Sequence, residues 1–360
     1  MKHLVKATLS AVAVLALPVF SFSMDSAGKS IYGDDNRLDY YEASSAIQSL
    51  SNSVVSLWKS YKVVENTSTG KYDLTTKTMG AAMGLCPDEK FREQNMGAFC
   101  SGSLVGKDLV MTAGHCVKSE AACADTKIVF GFKVAKAGEA GPSSVAKSEV
   151  YSCSKIVKRF LSGEAGTPNP DGQTVGADYA LIKLDREVAR HKPLLVNRTG
   201  EISKDTKLFV IGHPSGMPLK VAGDAAVRDA GTIGYFVADL DTFGGNSGSA
   251  VFNLDTKKIE GILVRGDNDY IPTPAGCTTV ATFAQTGGRG EDVTKISALV
   301  ADVPQLNMWQ TIRHYIPLLA GEVEDEVRMM LGNKDAPAEV RDVNPGPVTV
   351  EPLPVKVNFR

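Results

Sequence analysis

Past its first two dozen residues the sequence has no apolar run approaching the roughly 20 residues that a bilayer-spanning helix needs, so no stable membrane insertion is expected. Its six cysteines include no CxxC pair, and no Cys/His cluster has zinc-site spacing, so neither a metal nor another cofactor is expected. Charge of one sign is also missing. With 39 Lys/Arg against 41 Asp/Glu the net charge is −2, and the basic residues are dispersed, which argues against a nucleic-acid partner. There is no internal repeat of fixed period, and helical periodicity is scarce until late in the chain.

At the start, Met1-Lys2-His3 and Lys6 precede an apolar run from Ala7 to Phe22 that contains Pro18 and ends in small residues at Ser21 and Ser23. This reads as a secretory signal over residues 1–23, and the product as secreted or periplasmic. In an exported chain an even number of cysteines favours disulfides. Short runs such as Lys127-Ile128-Val129-Phe130, Tyr179-Ala180-Leu181-Ile182, Lys207-Leu208-Phe209-Val210-Ile211 and Gly261-Ile262-Leu263-Val264 alternate with Gly, Asp, Asn and Ser, the pattern of an all-β barrel or sandwich. Asp302-Val303-Pro304-Gln305 reads as a helix start, with Asp302 as N-cap. Leu306, Trp309, Ile312 and Ile316 then share one face. Residues 321–326 are acidic and compatible with helix, and the prolines after Asn333 mark 333–360 as an extended tail. Gly266-Asp267-Asn268-Asp269 reads as a polar turn rather than a calcium loop.

Three separated segments carry candidate chemistry. In Cys100-Ser101-Gly102-Ser103 through Thr112-Ala113-Gly114-His115-Cys116, a strand pair turning at Gly106-Lys107-Asp108 brings His115 beside a cysteine able to bond back to Cys100. In Gly176-Ala177-Asp178-Tyr179-Ala180-Leu181, an acid stands directly before an apolar strand. In Gly244-Gly245-Asn246-Ser247-Gly248-Ser249, glycines around a serine permit backbone angles that aim successive N–H groups into one hollow. A serine hydroxyl becomes a useful nucleophile only when an imidazole takes its proton and a buried carboxylate fixes the imidazole tautomer. The order His, Asp, Ser excludes an α/β-hydrolase, which runs Ser, Asp, His.

These segments resemble those of the chymotrypsin-like serine endopeptidases, over about residues 31–316. Ile31-Tyr32-Gly33-Asp34-Asp35-Asn36-Arg37 and Gly-Gly-Asn-Ser-Gly-Ser are similar to the secreted bacterial trypsin-like and glutamyl branch. The resemblance implies two antiparallel six-stranded β-barrels with a C-terminal helix: residues 24–43 an N-terminal segment or short propeptide, 44–190 the first barrel, 191–301 the second, and 302–332 helical. It implies His115, Asp178 and Ser247 as the triad, and the N–H groups of Gly245 and Ser247 as the oxyanion hole. Asn246 stands where animal enzymes keep the aspartate that pairs with a freed N-terminal amine, so activation by that route is not expected.

The implied specificity pocket uses Asp241, Val264, Arg265, Gly266 and Glu291. A carboxylate at Asp241 or Glu291 favours cleavage after Lys or Arg, whereas Arg265 could receive an acidic group. Glutamyl-specific relatives, however, keep a histidine where this chain has Leu263. The expected disulfides are Cys100–Cys116, Cys123–Cys153 (flanking neighbouring strands) and, by elimination, Cys86–Cys277. His213 reads as a turn or core residue, and His191 and His314 as surface residues. The expected partner is a polypeptide substrate, and the protein is expected to be a monomer. A catalytically silent module that binds a partner protein through the same cleft is the alternative.

Overall fold

The computed structural model describes residues 30–163, 176–199 and 201–330; the signal at 1–23 and the tail at 333–360 fall outside them. Twelve strands form two barrels. The first contains β1 (Val54–Lys59), β2 (Cys100–Leu104), β3 (Leu109–Thr112), β4 (Thr126–Val129), β5 (Val150–Leu161) and β6 (Asp178–Leu184), closed in the order β4-β5-β6-β3-β2-β1. The second contains β7 (Lys207–Gly212), β8 (Lys220–Asp229), β9 (Tyr235–Ala238), β10 (Ala250–Asn253), β11 (Ile259–Arg265) and β12 (Glu291–Lys295). These run β7-β10-β11-β12-β9-β8, and pairing of β7 with β8 closes the ring. All of these pairings are antiparallel. Two closed six-stranded antiparallel barrels are the architecture implied by the family resemblance, and closure pairs the two edges of each of these sheets with one another.

The apolar runs form these strands because they are buried. Val54 to Trp58 in β1 and Ile259 to Val264 in β11 are inaccessible to solvent. The twelve-residue β5 follows the barrel curvature through two register shifts against β6, as bulges allow. One apolar cluster joins Leu57, Val110 and Leu181 of the first barrel to Phe209, Phe252 and Ile262 of the second. The barrels therefore share a core, and the strand ends that carry the candidate site meet at their junction.

All three expected disulfides form, with Cα–Cα separations of 6.2 Å for Cys100–Cys116, 5.1 Å for Cys123–Cys153 and 5.0 Å for Cys86–Cys277.

The helices depart from the sequence reading. A short helix, α1 (Ser45–Ser51), capped by the Ser44 hydroxyl, was not anticipated. The late helix, α2, spans Met308–Met330 and includes the acidic stretch. Its N-cap is Asn307, whose Oδ1 accepts the Gln310 N–H while Gln310 Oε1 accepts the Asn307 N–H, both at 2.9 Å. Asp302 instead binds Lys158 Nζ at 2.6 Å. Trp309, Ile312 and Ile316 are exposed, and the face carrying His314 and Leu318 is buried. The reason lies at Gly321. A Cβ there would stand 2.6 Å from the Ala46 nitrogen, so the glycine lets α2 close onto α1 with that face inward. His314 is thus a core residue, and His191 is half-buried, stacked on Phe130 at 4.2 Å and bonded to Glu149 at 2.7 Å.

Candidate active site

His115 sits in the loop that follows β3, and Asp178 opens β6, which pairs with β3. The pairing brings the two together. His115 Nδ1 lies 2.6 Å from Asp178 Oδ2, and the His115 backbone N–H donates to Asp178 Oδ1 at 3.1 Å. Asp178 is buried, and the imidazole is partly open to solvent. The close approach depends on Gly114, where a Cβ would collide with the Phe160 and Tyr179 carbonyls and stand 3.0 Å from Asp178 Oδ1. A neighbouring hydroxyl fixes the backbone of the acid. Thr294 Oγ1 accepts the Asp178 N–H and donates to the Asp178 carbonyl, each at 2.9 Å, tying β12 of the second barrel to the acid of the first.

Ser247 lies in the segment before β10. Gly245 and Gly248 adopt φ values of +86° and +92°, which only glycine takes readily. A Cβ on Gly248 would collide with the Ser101 carbonyl oxygen, and one on Gly245 would reach within 2.6 Å of the Gly216 nitrogen. The Gly244 carbonyl accepts the Ser215 N–H. Because C=O and N–H of a trans peptide point in opposite directions, the Gly245 N–H faces away from Ser215. Ser101 locks the next peptide: its hydroxyl donates to the Gly245 carbonyl at 2.8 Å and accepts the His213 N–H at 2.9 Å, and its N–H donates to the Ser247 carbonyl at 2.8 Å. Asn246 Oδ1 accepts from the Ser249 hydroxyl.

His115, Gly245 and Ser247 line one open cleft of about 440 Å³, together with Phe99 and the Cys100–Cys116 disulfide. Histidine, serine and glycine are thereby brought into one space, with Asp178 behind the imidazole. Such an arrangement can move a proton from a hydroxyl and hold an anion on backbone N–H groups.

The candidate pocket residues separate into two groups. Asp241 and Glu291 are both buried. Asp241 Oδ1 accepts the Tyr32 N–H at 2.8 Å and Oδ2 the Asn36 N–H at 3.3 Å. Burial raises the Asp241 carboxyl to about 7 against these two bonds. Glu291 accepts from the Thr242 hydroxyl at 2.6 Å and the Tyr32 hydroxyl at 3.3 Å. Gly266 presses directly on the Glu291 carboxylate, so that any Cβ at 266 would collide with it. Val264 is buried. Arg265 is held elsewhere. Its Nε donates to Asp292 Oδ2 at 3.0 Å and its guanidinium to the Gly176 carbonyl at 2.7 Å, and the Asp292 partner opposes a role in receiving an acidic group.

Sequence reasoning did not assign roles to Ser101, Thr294, Gly114 or Tyr32. Ser101 and Gly114 lie inside the quoted motifs. Thr294 and Tyr32 act through contacts 116 and 209 residues away in sequence, for which the chain holds no local signal.

Residues 100–262 match the model of a trypsin-like peptidase domain, a span that contains His115, Asp178 and Ser247. No curated protein matches the sequence. Among solved structures, the VesB protease of Vibrio cholerae is similar, with 16% identity over 74% of this chain and 66% of that one and a TM-score of 0.43. The chain thus spans just under two thirds of that protein's length.

Proposed function

We propose that this chain, whose residues 100–262 match a trypsin-like peptidase domain, is an exported serine endopeptidase acting through an acyl-enzyme on Ser247. The observation that carries the proposal is the 2.6 Å contact of His115 Nδ1 with buried Asp178, in a cleft that His115 shares with Ser247 and Gly245. In this mechanism His115 Nε2 takes the Ser247 proton as the hydroxyl attacks the scissile carbonyl, then delivers it to the leaving amine. Asp178 holds the Nδ1–H tautomer and stabilises the imidazolium. The N–H groups of Gly245 and Ser247 receive the oxyanion, each worth about 2.7–4 kcal/mol in the transition state. Water then repeats the cycle on the ester.

We further propose cleavage after Lys or Arg. Two buried carboxylates, Asp241 and Glu291, support this preference, since a charge held out of water gains most from an opposite partner. Both oxygens of Asp241 already receive backbone N–H groups. Glu291 stands directly against Gly266 and accepts from two rotatable hydroxyls rather than from fixed backbone N–H groups, so we assign it as the carboxylate that selects the substrate cation, with Asp241 shaping the floor.

A fluorophosphonate probe tests the reaction. It labels wild-type protein at Ser247, and Ser247→Ala, purified free of other peptidases, neither labels nor hydrolyses peptides; turnover by that variant overturns the assignment. For specificity, a fluorogenic peptide library read with wild type, Glu291→Gln and Asp241→Ser should show a Lys/Arg preference that Glu291→Gln lowers by about a hundredfold in kcat/KM, in line with removing one member of a buried charge pair. A wild-type preference for Glu or for bulky apolar residues defeats the specificity while leaving the reaction standing.

A further inference from the structure

A second cavity, of about 200 Å³, lies where α1, α2 and the segment joining the two barrels meet. It shares no lining residue with the cleft of His115 and Ser247, and it stands apart from the peptidase chemistry proposed above. Its wall combines the apolar Leu318 with Asn52, Arg190, His191, Lys192 and His314. The space is several times the volume of one water, about 30 Å³.

Two of these side chains hold buried polar atoms that nothing satisfies. His314 is 7% exposed, and its Nε2 has no hydrogen-bond partner among the described residues. His191 Nε2 lies 2.7 Å from Glu149 Oε2. A carboxylate only accepts, so the Nε2 proton is spent there, and in the neutral ring Nδ1 is left as an acceptor. That nitrogen too is buried without a partner. Unmatched buried atoms are costly, and a native fold keeps few of them without a reason. The charged groups of the wall decide what satisfies these two. They are Arg190 and Lys192, and no Asp or Glu lines the cavity. Asn52 adds an amide: Lys133 Nζ donates to its Oδ1 at 2.7 Å, which leaves Nδ2 as a donor. A metal ion would meet the two imidazoles beside a guanidinium and an ammonium, with no carboxylate to offset them. The wall therefore fits an anion.

We propose that this cavity binds a small oxyanion that also carries a hydroxyl proton, either monohydrogen phosphate or a short hydroxycarboxylate. The anionic oxygens accept from Arg190, Lys192, Asn52 Nδ2 and the Nε2–H tautomer of His314, bonds that charge strengthens. The hydroxyl donates to His191 Nδ1. An oxyanion without a proton, such as sulfate, has nothing to give that nitrogen. The bound anion ties α2 to the segment between the barrels and to Asn52 ahead of β1, so it stabilises the docked helix by mass action.

The test titrates the whole protein at pH 8 with inorganic phosphate, sulfate, glycolate and acetate, at an ionic strength held constant with chloride. Histidine ring resonances and the thermal midpoint are read together. Phosphate or glycolate should shift the His314 and His191 signals saturably. It should bind about tenfold more tightly than its counterpart without the hydroxyl, sulfate or acetate, as expected when one buried acceptor is left unmatched. The tighter of phosphate and glycolate names the source of the anion. Sulfate also measures the general stabilisation by such salts, and phosphate should raise the midpoint beyond it. The double variant Arg190→Gln, Lys192→Gln, changed only at exposed positions, should fold normally and lose about tenfold in affinity, as two exposed charge pairs allow. The site is overturned if neither hydroxyl-bearing anion gives a saturable shift, if sulfate and acetate bind as tightly as their counterparts, or if affinity in the double variant is undiminished.

Discussion

At the scale of single residues, the site is held by groups that take no part in the proposed chemistry. Ser101 is the clearest. Its hydroxyl bridges the Gly245 carbonyl and the His213 N–H in a buried position, so Ser101→Ala leaves both backbone groups without that partner. Such a loss costs about 1–3 kcal/mol of stability. It also frees the peptide that sets the proposed oxyanion N–H groups, so kcat should fall about tenfold with KM little changed, a fraction of the loss when a donor is removed outright. Steady-state kinetics alongside urea unfolding decide the matter, and an unchanged kcat in a destabilised protein would assign Ser101 to folding alone. The residues of the proposed triad and the glycines around Ser247 could be picked out in the sequence because each stands in a short contiguous motif. Ser101 stood inside such a motif yet carried no legible role, since its partners lie 112 and 144 residues away.

At the scale of elements, the strands were readable and the helix faces were not. Period-two and continuous apolar runs announce barrel strands because burial alone decides them. In α2 the apolar residues Trp309, Ile312 and Ile316 share a face, but that face is exposed. The packing was decided instead by Gly321, whose missing side chain allows contact with α1, and it buried His314. Burial, together with the charge of Lys192, lowers His314 to about 4, while an unfolded histidine titrates near 6.5. The unfolded chain thus binds a proton that the docked helix refuses. The contribution of His314 to stability is complete above about pH 6.5 and is lost as the pH falls toward 4, reaching about 2 kcal/mol by pH 5. Hydrogen exchange of the α1 and α2 amides should accelerate between pH 7.5 and 5 after correction for the intrinsic rate. His314→Leu should remove most of that acceleration, and an identical pH response in the variant would show that another group governs docking.

At the scale of the molecule, the proposed triad is divided between two barrels, with His115 and Asp178 on the first and Ser247 on the second, so the mutual placement of the barrels is a condition of activity. Among the links that hold it are the shared apolar core, the Thr294 hydroxyl on the backbone of Asp178, and the Cys86–Cys277 disulfide. That bond joins the loop between β1 and β2 to the loop between β11 and β12 over 191 residues. It is reinforced by the Cys86 N–H to the Thr278 carbonyl at 2.9 Å and the Thr278 N–H to the Gly84 carbonyl at 2.8 Å. Cys123–Cys153 closes only 30 residues within the first barrel. If crosslinks act by restricting the unfolded chain, the longer loop contributes about 1.5 kcal/mol more than the shorter one. Urea unfolding of the paired variants Cys86→Ser, Cys277→Ser and Cys123→Ser, Cys153→Ser should show that ordering. A larger loss for the Cys123–Cys153 pair would mean that native contacts, rather than chain entropy, set the value of these bonds. The same two proteins separate stability from placement, because only the first loses a tie between barrels. Measured well below its unfolding transition, the Cys86→Ser, Cys277→Ser protein should lose kcat, and the Cys123→Ser, Cys153→Ser protein should retain it.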